Sequence, residues 1–135
     1  MPRRCFTPAQ ANRTLPLVRR IVTDIVQRGH ELRRLTAGPL HESARTRVPR
    51  LQAELAELFE ELERIGCSYK DWGFELGLVD FPAQIDGRDV LLCWRSDEPR
   101  VEWYHAPEAG FSGRRPIPPE LLAQAGQGDP AAPDG

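Results

Sequence analysis

The chain has 135 residues, 40% of them hydrophobic and 28% charged, with a formal net charge of −2. That length supports one domain with a modest core, and the composition is too apolar for a disordered protein. The near-neutral balance gives no general attraction to nucleic acid or anionic membranes, although abundant arginine leaves room for local basic patches. The three cysteines, Cys5, Cys67 and Cys93, lie far apart without a CxxC spacing, which argues against a disulfide framework or a zinc ribbon. Arg3 and Arg4 have no apolar run behind them, and no stretch of 18 apolar residues follows. A cytoplasmic protein with no membrane segment is the expectation.

Phe6 to Gln10 reads as a helix start: Thr7 caps, Pro8 suits the first helical position, and Gln10 completes a capping box. Leu15, Val18, Val22, Ile25 and Leu32 continue a stripe at steps of three and four, widened by Ile21 and Val26. Pro16 should kink or divide this helix, giving a short first piece, a bend, and a helix to about Leu35. Gly38 and Pro39 end it, and residues 39–46 read as a linker. A second stripe, Val48, Leu51, Leu55, Leu58, Leu62 and Ile65, starts near Arg47 if Pro49 occupies the first turn, and Gly66 ends it. Two such helices should pack as an antiparallel hairpin. The simplest role for the leucine stripe is intramolecular core; a share of it pairing with a second copy makes a coiled-coil homodimer plausible.

After Gly66 the period shifts toward two. Residues 74–82 read as a strand, Asp86-Gly87 as a two-residue hairpin turn, Val90 to Arg95 as the next strand, and Val101 to His105 as a third. A two-residue first turn sets Asp80 opposite Cys93 and Val79 opposite Trp94. A four-residue second loop, Asp97 to Arg100, sets Arg95 opposite Glu102, Trp94 opposite Trp103 and Cys93 opposite Tyr104; a three-residue loop is the rival. With four residues, Val79, Phe81, Val90, Leu92, Trp94, Val101 and Trp103 face the helices. Asp80, Cys93, Arg95, Glu102 and Tyr104 line the other face, with His105 on the helix side. The expected fold is α+β, a helical hairpin (7–66) on a three-stranded antiparallel meander (67–117). Residues 1–117 form the single domain and 118–135 a disordered tail, with at most a helical turn near Glu120.

Five segments, FTPAQANRTLP at 6–16, IGCSYKDW at 65–72, GLVDFPAQIDGRDVLLCW at 77–94, EWYH at 102–105 and GFSGRRPI at 110–117, together resemble a bacterial family, domain-of-unknown-function family 2203. Where that family pattern usually reads Gly-Glu, this chain has Asp97-Glu98, which bears on the second turn. The resemblance implies a cytoplasmic prokaryotic protein and no assigned activity.

Several residues carry candidate chemistry. Asp80 lies mid-strand, where an ionised carboxylate needs a partner; it is a general acid/base or ligand, or an ion-pair partner of Arg95, Arg114 or Arg115. His105 suits proton transfer or metal binding. Asp80, Asp86, Glu102 and His105 supply enough ligands for a divalent ion but show no diagnostic spacing, and the chosen register separates Asp80 from His105; no metal or cofactor is assigned. Cys93 beside a carboxylate reads as a packed thiol. GFSGRRPI, with Gly110, Gly113, Arg114 and Arg115, is either an anion-binding loop or a flap over the sheet with Phe111 in the core and its arginines on Asp80 or Glu102. Arg3, Arg4, Arg13, Arg19, Arg20, Arg28, Arg33 and Arg34 make the first helix basic against an acidic second helix. Interhelical complementarity explains this more simply than nucleic-acid binding. The leading expectation is a homo-oligomeric binding module, for a partner or a small anionic ligand, with a polar patch of Asp80, Arg95, Glu102, Tyr104 and His105. The alternatives are an enzyme using Asp80 and His105, with or without a metal, and nucleic-acid binding through the first helix.

Overall fold

In the computed structural model, residues 5–123 are described. Two long helices, α1 (Pro8–Thr36) and α2 (Glu42–Ile65), lead into an antiparallel sheet. Its strands are β1 (Ser68–Tyr69), β2 (Leu78–Ile85), β3 (Arg88–Arg95), β4 (Trp103–His105) and β5 (Arg115–Pro116), in spatial order β1-β2-β3-β4-β5. A short helix, α3 (Pro119–Leu122), follows. The fold is α+β as expected. The sheet has five strands rather than three, because two-residue edge strands flank the central meander.

The capping box is formed: Gln10 N–H donates to Thr7 Oγ1, and Thr7 N–H to Gln10 Oε1. Neither internal proline divides its helix. Pro16 is exposed, while Leu15 and Val18 on either side are buried. The packed flanks hold the helix through the one backbone hydrogen bond that proline removes. In α2 the helix begins at Glu42, five residues before the expected start, because Ala44 is buried and draws the chain 42–46 into register. Pro49 therefore sits inside α2, not in its first turn. Gly66 closes α2 in the left-handed conformation at φ 113° and donates its N–H to Leu62. Arg28–Glu54 at 2.9 Å joins the basic first helix to the acidic second as expected, while Arg47–Glu31 at 2.8 Å runs the other way, with its arginine on α2. Partner numbers that rise on α1 as they fall on α2 confirm an antiparallel hairpin.

The helices cover one face of the sheet. Val79, Phe81, Leu92 and Trp94 are fully buried there, against Val18, Val22 and Ile25 of α1 and Leu55 and Leu62 of α2. The leucine stripe is thus committed within the chain: Leu51, Leu55 and Leu62 are buried in a single copy. Two polar ties fix α1 to the sheet. Phe6 N–H donates to Pro82 O, and the Asn12 amide both accepts from Val101 N–H and donates to Val101 O. Asn12 thus stands in for a strand residue. Pro82 is tolerated in β2 because its outward edge lies beyond the two residues that β1 covers, so its missing N–H breaks no ladder bond.

The first hairpin has the expected register, Asp80 opposite Cys93 and Val79 opposite Trp94, with Asp86 and Gly87 both at positive φ. The second hairpin differs by one residue. Cys93 faces Trp103, Leu92 faces Tyr104 and Leu91 faces His105, which is the three-residue loop. The slip reverses the parity of β4: Tyr104 turns to the helices, while Trp103 and His105 turn to the outer face with Asp80 and Cys93. The expected Arg95–Glu102 and Trp94–Trp103 pairs do not form. The helical turn allowed near Glu120 is present as α3, and residues 118–123 belong to the fold, with Leu121 and Leu122 packed on the core, instead of starting a disordered tail; the rest of that expected tail lies outside the described residues.

Gly29, buried in α1, receives the ring of Phe74, whose own backbone is left-handed at φ 56°. A Cβ on Gly29 would overlap that ring. Gly29→Ala should gain about 1 kcal/mol of helix propensity and lose roughly 1–3 kcal/mol to overpacking. Net destabilisation in urea unfolding is the expected outcome.

Candidate functional site

The outer face carries one closely packed polar group. Asp80 of β2, Cys93 of β3 and His105 of β4 converge on three adjacent strands, with relative exposures of 3%, 0% and 3%. One oxygen, the sulfur and one ring nitrogen all lie within 4.8 Å of one another. His105 Nε2 is 3.3 Å from Asp80 Oδ1, and His105 Nδ1 is 2.7 Å from Ala106 O. A carbonyl only accepts, so the Nδ1 contact calls for the tautomer with its N–H on Nδ1, which turns Nε2 to Asp80. The Cys93 thiol, also hydrogen-bonded to Asp80, is pushed up to about 12, first by burial and then by the Asp80 carboxylate. It stays protonated and is no nucleophile as it stands.

Arg114 roofs this group. Its guanidinium lies 4.9 Å from the Trp103 ring centre and 4.5 Å from that of Phe111, 2.8 Å from Glu98 and 3.4 Å from Cys93 O. Its Nε is buried without a hydrogen-bond partner among the described residues. The segment 110–117 is therefore a flap, but anchored differently from expectation. Phe111 is 38% exposed and stacks between Arg95 and Arg114 instead of entering the core. Arg114 pairs with Glu98, not with Asp80 or Glu102, because the shorter second loop brings Glu98 under it. The loop spends its amides on itself: Gly113 N–H donates to Gly110 O and Arg114 N–H to Phe111 O. Arg115 is exposed in β5, opposite Tyr104.

The polar patch read from the sequence is thus redistributed. Arg95 is held by both oxygens of Asp97, at 2.6 and 3.0 Å. Glu102 lies beside Arg100, Tyr104 packs toward the helices, and Asp86 sits exposed in the hairpin turn. Asp80 and His105, expected on opposite faces, meet. Cys93 joins them as a third potential ligand. Of the first helix's arginines, Arg19 donates to Pro99 O and covers Trp94, Arg28 pairs with Glu54, and Arg33 donates to Gly73 O; Arg3 and Arg4 lie outside the described residues.

A second feature was not singled out in the sequence. Asp71 accepts from the backbone N–H groups of Gly73, Glu75, Leu76 and Gly77 at 2.7–3.2 Å. The visible signal was Asp-x-Gly, an Asx-turn pattern. The anchored loop carries Trp72, 62% exposed, with its ring set against Phe59 at 5.2 Å and Tyr69 at 5.6 Å. Leu76 of the same loop lines a cleft of about 360 Å³ with Lys70, Leu78, Arg95 and Phe111.

Partial burial alone would raise the Asp71 carboxyl, but the four amide donors outweigh it and hold it below its usual 3.8. A lowered folded pKa means its contribution is fully present above about pH 4 and is lost as pH falls through the folded value. The amides of Gly73, Glu75, Leu76 and Gly77 should therefore lose protection against exchange, relative to their intrinsic rates at the same pH, below pH 4. Asp71→Asn, which puts an NH2 where the carboxylate accepts, should loosen the same amides at pH 7 and cost about 1–3 kcal/mol.

Among the described residues, no helix is long and apolar enough to cross a membrane. No curated protein and no solved structure matches the chain. Residues 4–117 match the model of the family DUF2203, described as an uncharacterized conserved protein, and the chain belongs to that family.

Proposed function

We propose that this member of DUF2203 is a binding module that works through self-association, with the Asp71-anchored loop as its contact surface. The supporting observation is Trp72, 62% exposed yet fixed from beneath by Phe59 and Tyr69. An aromatic side chain already held in place loses little freedom on binding and removes much apolar area from water. Leu76 and Phe111, 45% and 38% exposed, extend the apolar surface beside it. Lys70 and Glu75, both exposed, bring opposite charges to the same loop. A second copy set two-fold across this loop would bring Lys70 of one to Glu75 of the other, which makes the same chain a complementary occupant.

Other readings fit less well. An acid/base enzyme on Asp80 and His105 would need substrate at groups only 3% exposed. A small anion would compete with Asp97 for Arg95 and with Glu98 for Arg114. Nucleic acid would meet a first helix whose Arg19, Arg28 and Arg33 are engaged within the chain.

Sedimentation velocity over a concentration series should show a monomer–dimer equilibrium. Trp72→Ala with Leu76→Ser should weaken it by about 2 kcal/mol or more, roughly 30-fold, with the melting temperature little changed. A monomer at every concentration overturns the reading.

A further inference from the structure

We propose that Asp80, Cys93 and His105 form a buried site for one divalent transition-metal ion of the zinc class, taken up as carboxylate oxygen, thiolate sulfur and imidazole Nε2. Mixed sulfur, nitrogen and oxygen donors suit zinc or a similar borderline ion, and do not suit calcium or magnesium, which prefer oxygen.

Geometry supports this first. The three donor atoms lie within 4.8 Å of one another. Tetrahedral ligands at ~2.0–2.3 Å from an ion stand roughly 3.3–3.6 Å apart. Side-chain rotation of about an ångström closes the difference, with the strands unmoved. Next comes the orientation of the imidazole. His105 Nδ1 donates to Ala106 O at 2.7 Å, which leaves Nε2 aimed at Asp80 and Cys93. A backbone carbonyl on the far nitrogen is the usual outer support of a metal-bound histidine.

Charge is the third support. A carboxylate and a thiolate together carry two negative charges, and a divalent ion cancels them, so the filled site is neutral where water is excluded. The nearby Arg114 charge is already balanced by Glu98 at 2.8 Å. On binding, metal–sulfur, metal–nitrogen and metal–oxygen bonds form. The thiol proton, and any proton carried on Nε2 or Asp80, leaves to solvent as the thiolate, imidazole and carboxylate take up the ion. Three protein ligands leave one tetrahedral position, which a single water carried in with the ion completes.

The test is a cobalt(II) titration of the full chain, freed of metal by chelation. The expected result is saturation at one equivalent, with the strong visible bands of a tetrahedral centre and a near-ultraviolet thiolate-to-cobalt band, both lost on adding zinc. Cys93→Ser should abolish the near-ultraviolet band. His105→Gln and Asp80→Asn should each weaken binding at least by the ~10–100-fold that loss of an outer partner costs. Cys5→Ser, and His30→Gln with His41→Gln, change exposed side chains and should leave the spectrum intact. Zinc, but not magnesium, should raise the melting temperature of the unsubstituted protein in a concentration-dependent way. If the buried variants do not fold, the Cys5→Ser spectrum decides: no thiolate band at one equivalent overturns the proposal. Binding that survives Cys93→Ser with the band intact, or that is lost with His30 and His41, also overturns it. The result is independent of whether the chain dimerises.

Discussion

Glu98 is the residue on which the outer face depends. Its carboxylate accepts the Arg95 amide at 2.8 Å and the Arg114 guanidinium at 2.8 Å. Its own N–H donates to Arg95 O, and its carbonyl accepts the Trp94 indole N–H at 2.9 Å. Four hydrogen bonds in one residue close the second turn at three residues and end the β3 ladder early. Turn length sets parity, and parity decides which face each β4 side chain joins. With one more residue in the loop, His105 would lie among the leucines of the core and Asp80 would be a buried carboxylate without it.

Carboxylates recur as organisers of backbone in this molecule. Asp71 gathers four amides and shapes the loop that holds Trp72 upright. Asp97 grips Arg95, and Glu98 clamps both the turn and the flap. Asn12 does the same work without charge. The hydrophobic layer between helices and sheet provides most of the driving force, but it is tolerant of small shifts. These directional contacts choose one arrangement among several that would bury a similar apolar area.

Much of the architecture was legible in the sequence because it is written in periodicity. The α1 and α2 stripes, the Thr7 box, the Gly66 cap and the Asp86-Gly87 turn each rest on local patterns, and each is present. What failed is instructive. Local rules price only the hydrogen bond that proline removes, so they divide α1 at Pro16 and start α2 two residues before Pro49, whereas burial of Leu15, Val18 and Ala44 is a tertiary gain. The second register was decided on cross-strand pairing of Arg95 with Glu102 and Trp94 with Trp103. The winning contacts, Glu98 to Arg95 and Arg114, are side chain to backbone or span sixteen residues, and have no period. The same slip hid the convergence of Asp80, Cys93 and His105. Its first half, Asp80 opposite Cys93, was already visible.

The amide of Asn12 and the backbone of Val101 meet across 89 residues of chain. The α1–α2 hairpin and the β2–β3 hairpin each join neighbours in sequence and can form early, whereas this tie closes a loop that includes both. During synthesis, α1 leaves the ribosome long before Val101 exists. Until β2 and β3 follow, the inner face of α1 has no cover beyond what α2 supplies. The α1 helix is thus made before every strand it packs on, and its tie to Val101 closes only after both hairpins exist. The stretch that follows, running through β4 and the 110–117 flap, is the one that turns a pair of hairpins into a single body.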